Sequence, residues 1–210
     1  MTGAAFLLLA ITLAAAVADW MAVRHDNRRV EYLCKPLTLG ALTAAALALD
    51  PSDPTVRTWF VVALMLSLAG DVLLMLPGDL FVPGLAAFLG AHIAYTVGFV
   101  VDGVEPGWLL AGLAAVPVAF ALVGVRIVSG VRRSEPALAP PVLAYMGVIS
   151  AMVVAAVGTG RLLPIAGAAL FYASDALIGW NRFVERHPDG DTGVMVTYHV
   201  AQILLVLSLI

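Results

Sequence analysis

The sequence predicts an all-α polytopic membrane protein, a bundle of eight transmembrane helices, on three observations. Of the 210 residues, 62% are hydrophobic and only 12% charged, with a mean hydropathy of +1.01, against about 25% charged in ordinary soluble domains. Apolar runs approaching the ~20 residues a spanning helix needs recur along the chain, separated by breaks that combine Pro or Gly with charge. Lysine and arginine gather on alternate breaks, as the loops of a multi-pass protein require.

The runs place helices near 3–23, 36–50, 56–77, 83–101, 107–127, 138–157, 161–182 and 192–210. In the first run, Ala16-Val17-Ala18 has the form of a signal-peptidase site. No basic segment precedes it and the basic residues follow it, so a retained first helix is expected. The second run opens after Lys35 and is short, ending at Asp50-Pro51. The remaining breaks fall at Pro77-Gly78-Asp79, Asp102–Pro106, Arg132–Pro136, Gly158–Gly160 and His187–Gly190. Every connection is short, so consecutive helices are expected as antiparallel neighbours, with residues 1–210 forming one integral membrane domain.

The odd-numbered loops and adjoining helix ends carry Arg24, Arg28, Arg29, Lys35, Arg126, Arg132, Arg133, Arg182 and Arg186. The even-numbered ones carry Arg57 and Arg161, which completes the 11 basic residues of the chain. Nine against two predicts odd loops in the cytoplasm and both termini outside, in a cell membrane. One cysteine, Cys34, excludes an intrachain disulfide, and no basic cluster is dense enough for nucleic acid. Nothing in the sequence assigns an oligomeric state.

Asp71 and Asp175 stand inside two of these runs. A carboxylate in hydrocarbon is expensive, so such residues face a protein interior and mark function by default. Helices three and seven run the same way, and a rise of 1.5 Å per residue puts Asp71 about 9 Å and Asp175 about 10 Å from their cytoplasmic ends. Lys35, His92, Tyr95, Asn181, Arg182, Tyr198, His199 and Gln202 fall at similar depth on that side, which predicts a polar cleft open to the cytoplasm beneath an apolar outer half. Small-Asp-x-Leu-[Leu/Ile] occurs at 70–74 and 174–178, each followed one helix later by a His with a polar residue three positions on. This is compatible with a four-plus-four internal repeat.

Each of these residues has a plainer reading. The acids and His92 and His199 serve equally as hydrogen-bonded glue between helices, the loop cations as topology signals, and Tyr95 and Tyr198 as interfacial anchors. Two histidines with two aspartates would suit a metal site, but no close ligand spacing exists. Ser67 shares the face of Asp71 without a nucleophile elbow. The Gly-Asp order is the reverse of that in intramembrane aspartyl proteases. Two carboxyls at one depth favour paired acid–base chemistry, with one neutral and one ionised.

The ordered motifs resemble the YhhN family, bacterial relatives of animal lysoplasmalogenases. They are Lys35-Pro36-Leu37-Thr38, Ser67–Asp71 with Leu74-Met75, and Gly84–Phe88 leading to Ala91-His92 and Tyr95. Further along come Gly167–Phe171 running into Ser174-Asp175, then Asn181-Arg182-Phe183, and Tyr198 with Ala201-Gln202. The resemblance implies an eight-helix ether-bond hydrolase that cleaves the vinyl-ether bond of lysoplasmalogen into a fatty aldehyde and a glycerophospho-headgroup. It implies no cofactor and no metal, a lysophospholipid substrate, and membrane lipid as the surroundings. Asp71 and Asp175 would be catalytic, and which of them holds the proton stays open. The phosphate would lie near Lys35 and Arg182, with the tail in the apolar outer half. A hydrolase acting on another lysolipid, or a proton-coupled transporter of a lipid or small molecule using the same acids, fits the residues too.

Overall fold

In hydrocarbon the backbone must satisfy its own hydrogen bonds, so each apolar run is driven to a helix. The computed structural model describes residues 2–210. Its eight helices are α1 (Gly3–Arg24), α2 (Arg28–Ala48), α3 (Pro54–Met75), α4 (Phe81–Asp102), α5 (Pro106–Ser134), α6 (Pro136–Gly158), α7 (Leu162–Phe183) and α8 (Gly190–Leu207). Seven are long and apolar enough to cross a membrane, which makes this a multi-pass membrane protein. The exception is α2, whose first turns carry Arg28, Arg29, Glu31 and Lys35.

Two boundaries differ from the sequence expectation. Helix α2 begins at Arg28, not 36, and passes straight through Pro36. The Asn27 side chain accepts from Val30 N and starts the helix upstream, so Pro36 is an interior residue rather than a helix opener. Helix α5 runs to Ser134 instead of 127, because the π-helical turn Phe120–Gly124 that follows Pro117 carries the helix on without ending it. Such π turns absorb a distortion within a continuous helix.

Packing links α1 to α2, α2 to α3, α3 to α4, α4 to α6, α6 to α7, α7 to α8, and α8 back to α1. Seven helices thus close a ring, with α5 outside it, lying along α6 and touching α7 only by its last turns. The tight α3–α4 pair rests on Gly70, where a Cβ would collide with the Phe88 ring; small residues permit such close approach in membranes. Inside the ring, the Phe60 ring meets Tyr95 edge-on at 5.0 Å and Phe99 at 5.4 Å.

Contacts between loops sort the two ends. At one, Arg182 pairs with Asp79 and Glu135, both at 3.3 Å, joining loops three and five to the last turn of α7. At the other, Arg161 reaches Asp102 at 2.7 Å and Ser208 O at 2.6 Å, Thr2 Oγ donates to Ala48 O, and Ser52 N donates to Leu209 O. Both described chain ends therefore lie with the even-numbered loops.

Candidate active site

Asp71 projects from α3 and Asp175 from α7, each within the last turns before the end that carries the odd-numbered loops. Both line a single polar cleft of about 560 Å³. Asp26, Arg28, Arg186 and Asp191 also line it, so the cleft opens among those loops.

Each carboxylate is held by a tyrosine from another helix. Tyr198 on α8 donates to Asp71 Oδ2 at 2.8 Å. Tyr145 on α6 donates to Asp175 Oδ2 at 2.5 Å. His92 on α4 places its Nε2 3.0 Å from the same Oδ2 and 2.8 Å from the Tyr145 hydroxyl, forming a three-membered cluster. Asp71 is 3% exposed, and Lys35, Asp19 and Asp175 lie within Coulombic reach of it. Lys35, itself buried, donates to Glu31 Oε1 at 3.2 Å one helical turn away.

The structure brings six of the ten residues singled out from sequence onto the cleft wall: Lys35, Asp71, Asp175, Asn181, Arg182 and Tyr198. His92 stands behind Asp175 as its partner. The other three lie elsewhere. The Tyr95 hydroxyl donates to Gln202 Oε1 at 2.5 Å in the bundle interior, and His199 Nδ1 accepts from Trp20 Nε1 at 3.0 Å. Tyr95 and Tyr198 are fully buried, so neither is an interfacial anchor. Arg182 is already engaged by two acids, and its guanidinium lies 4.0 Å from the Phe81 ring centre.

Three residues of the site lie outside the sequence expectation. Tyr145 completes the Asp175 cluster; a tyrosine in an apolar helix gives no signal by itself. Glu31 pairs with Lys35, and the i,i+4 spacing on one helix is its signature. Asp19 is an acid inside an apolar run, the same signal as Asp71 and Asp175, and it is 0% exposed with neither carboxylate oxygen hydrogen-bonded.

A second, apolar cavity adjoins the cleft. It is a slot of about 60 Å³ among α4, α6 and α7, with Val123, Gly124 and Ile127 of α5 lying over it. Leu74, Phe81, Phe88, Asp175 and Ile178 line both cavities, so Asp175 sits where polar cleft meets apolar slot. The slot occupies the same half of the bundle as the carboxylates. It does not extend into the far half, where the sequence places the tail, since Phe60, Tyr95, Phe99, Met152 and Leu205 pack that region solidly.

A multi-pass membrane protein with two tyrosine-held carboxylates on one polar cleft is the class that fold and site define. The chain belongs to the YhhN family, which it matches over residues 30–209. It is 35% identical over 146 residues to lysoplasmalogenase TMEM86B of Homo sapiens, covering 70% of this chain and 61% of that protein. To the Rattus norvegicus protein of the same name it is 32% identical over 176 residues, covering 83% and 70%. To a lysoplasmalogenase of Mycobacterium tuberculosis it is 34% identical over 175 residues, covering 80% and 66%. The chain thus spans less than two thirds of the human relative's length. No solved structure matches it.

Proposed function

We propose that the chain is a membrane hydrolase that cleaves the vinyl-ether bond of a lysoplasmalogen, releasing a fatty aldehyde and a glycerophospho-headgroup. The observation that carries this is the placement of Asp71 and Asp175 on one cleft, with Asp175 also bordering an apolar slot. An amphiphile whose labile bond joins head to tail presents that bond at such a junction. The names of the relatives point the same way.

A vinyl ether hydrolyses by protonation of the alkene carbon remote from oxygen, which leaves an oxocarbenium ion. Water adds to the carbon next to oxygen, and the hemiacetal collapses to aldehyde and alcohol. Asp175, on the slot side, donates its proton to the carbon that bears the tail. Asp71, in the polar cleft beside Lys35, stabilises the cation and takes a proton from the attacking water. That proton returns to Asp175 before the next turnover, so water is the only other reactant. Positioned acid–base catalysis of this kind contributes about 10²–10⁴-fold. Tyr198, Tyr145 and His92 act as positioning residues for the two acids. Lys35 and Arg182 face the headgroup phosphate from the cleft wall. The eight helices work as a single unit in the cell membrane, with the odd-numbered loops, which with their adjoining helix ends carry nine of the 11 basic residues, in the cytoplasm and both termini outside.

The test is purified protein in detergent, offered lysoplasmalogen, lysophosphatidylethanolamine and a saturated ether lysolipid. Aldehyde from the first alone, lost on Asp71→Asn or Asp175→Asn, is the expected result. Release that survives both substitutions sinks the mechanism. Gradient-driven uptake into liposomes without any aldehyde identifies a transporter instead.

A further inference from the structure

We propose that the apolar slot is the subsite for one hydrocarbon tail, roofed by the last turns of α5, and that the tail enters it sideways from the bilayer. The proposal rests on the hydrolase reading for the identity of the lipid but not for the existence of the site.

Three features of the fold lead to it. First, the slot is continuous with the cleft through Asp175, and apart from that carboxylate and the tyrosines Tyr145 and Tyr172 its walls are hydrocarbon or aromatic. Its volume of about 60 Å³, against about 560 Å³ for the cleft, is too small for two chains and takes even one only as the roof lifts.

Second, the helix that carries the roof is the least embedded in the bundle. Helix α5 is the only helix outside the ring, and its span is 17% buried, the lowest value among the spanning helices. Its last turns meet α7 across two glycines, Gly130 against the Phe183 backbone and Gly179 against Ile127. The same turns bury Ile127 and Val131 with Val142 and Phe183 in a small apolar cluster apart from the main core, and a hydrocarbon tail or bilayer lipid can replace such contacts in kind.

Third, the roof has a hinge. Pro117 removes a backbone donor, and the π turn Phe120–Gly124 lies directly between the segment packed along α6 and the roofing turns. Proline and π turns are where helices bend. Leu122 and Val125, at the hinge and the start of the roof, are exposed on the outer surface where lipid lies. Movement of Val125–Ser134 away from α7 opens the slot to the bilayer and leaves the ring, with its carboxylates, in place.

Val142 and Ile149, one near each end of the slot wall on α6, set how much chain it holds. The experiment uses a saturated ether lysolipid, which the proposed reaction does not cleave, with a photoreactive diazirine in its tail. It is bound to the wild-type protein in nanodiscs, and labelled peptides are mapped by mass spectrometry. Labelling on Val123–Ile127 and Val142–Ile149 is expected, with at least tenfold less when Val142→Trp fills the slot. Labels confined to other helices overturn the proposal, as does unchanged labelling in the Val142→Trp protein. The two readings separate cleanly. Slot labelling without aldehyde release from lysoplasmalogen keeps the subsite and refutes the hydrolase; aldehyde release with labels elsewhere does the reverse.

Discussion

The hydroxyl of Tyr198 donates to Asp71 Oδ2 at 2.8 Å, joining α8 to α3 across 127 positions of sequence. Both residues are almost wholly buried, so little solvent competes for this bond, which fixes the carboxylate at the cleft wall. Tyr198→Phe keeps the ring packed against Phe88 and Phe171 while deleting the donor. Turnover is expected to fall by up to about 10²-fold, the scale of a small misplacement of a reacting group, with KM nearly unchanged. An equal rise in KM alone places Tyr198 on the substrate instead.

Asp71→Asn and Asp175→Asn are each expected to lower aldehyde release by about 10²–10⁴-fold. Acting as one unit, they will not multiply: the double variant should be barely worse than either single one. Strict multiplication in steady-state kinetics argues that the two acids work independently.

Asp19 has both carboxylate oxygens buried and unbonded. An unsatisfied buried polar group costs about 1–3 kcal/mol, so Asp19→Leu is expected to raise the melting temperature in a fixed detergent by several degrees. A fall of similar size shows instead that Asp19 is charged and balances Lys35.

Asp79, in the loop between α3 and α4, has its carboxyl held below the usual range by the hydrogen bond from Arg182 and then by its charge. A depressed acid stabilises the fold above its unfolded value, about 3.9, and that contribution fades as pH falls through the lower folded value. Stability of the wild-type protein is therefore expected to drop more steeply than that of Asp79→Asn below about pH 4. Because Asp79 is exposed, the difference shrinks in high salt. Superimposable melting curves for the two proteins across that acid range refute it.

The helices and the layer of polar residues are legible in the sequence because hydrocarbon is an exacting solvent: few polar residues survive in it without a reason, and those few stand out. Asp71, Asp175, Lys35 and Tyr198 reach the cleft as that logic requires. What is not legible depends on neighbours distant in sequence. Nothing in the chain announces that Tyr145 meets Asp175, or that Tyr95 turns to Gln202. Pro36 has the look of a helix opener because the capping Asn27 lies among charged loop residues. The π turn of α5 leaves only Pro117 as a trace, since π turns have no residue signature. Hydropathy also makes the outer half look like the place for a tail, because it measures how apolar a region is and not whether it is already full.

Asp71 belongs to the first four helices and takes its donor from α8; Asp175 belongs to the last four and takes a partner from α4. Each half of the chain finishes the other's acid, and neither owns a working centre. Cleaved in the loop between Asp102 and Pro106, the two fragments are expected to be inert alone and to regain turnover only when they find each other again. Under the proposed mechanism, turnover also reports the chain's own correct assembly: a half-inserted chain carries both the charge and the hazard of an acid in lipid, but not the means to use it.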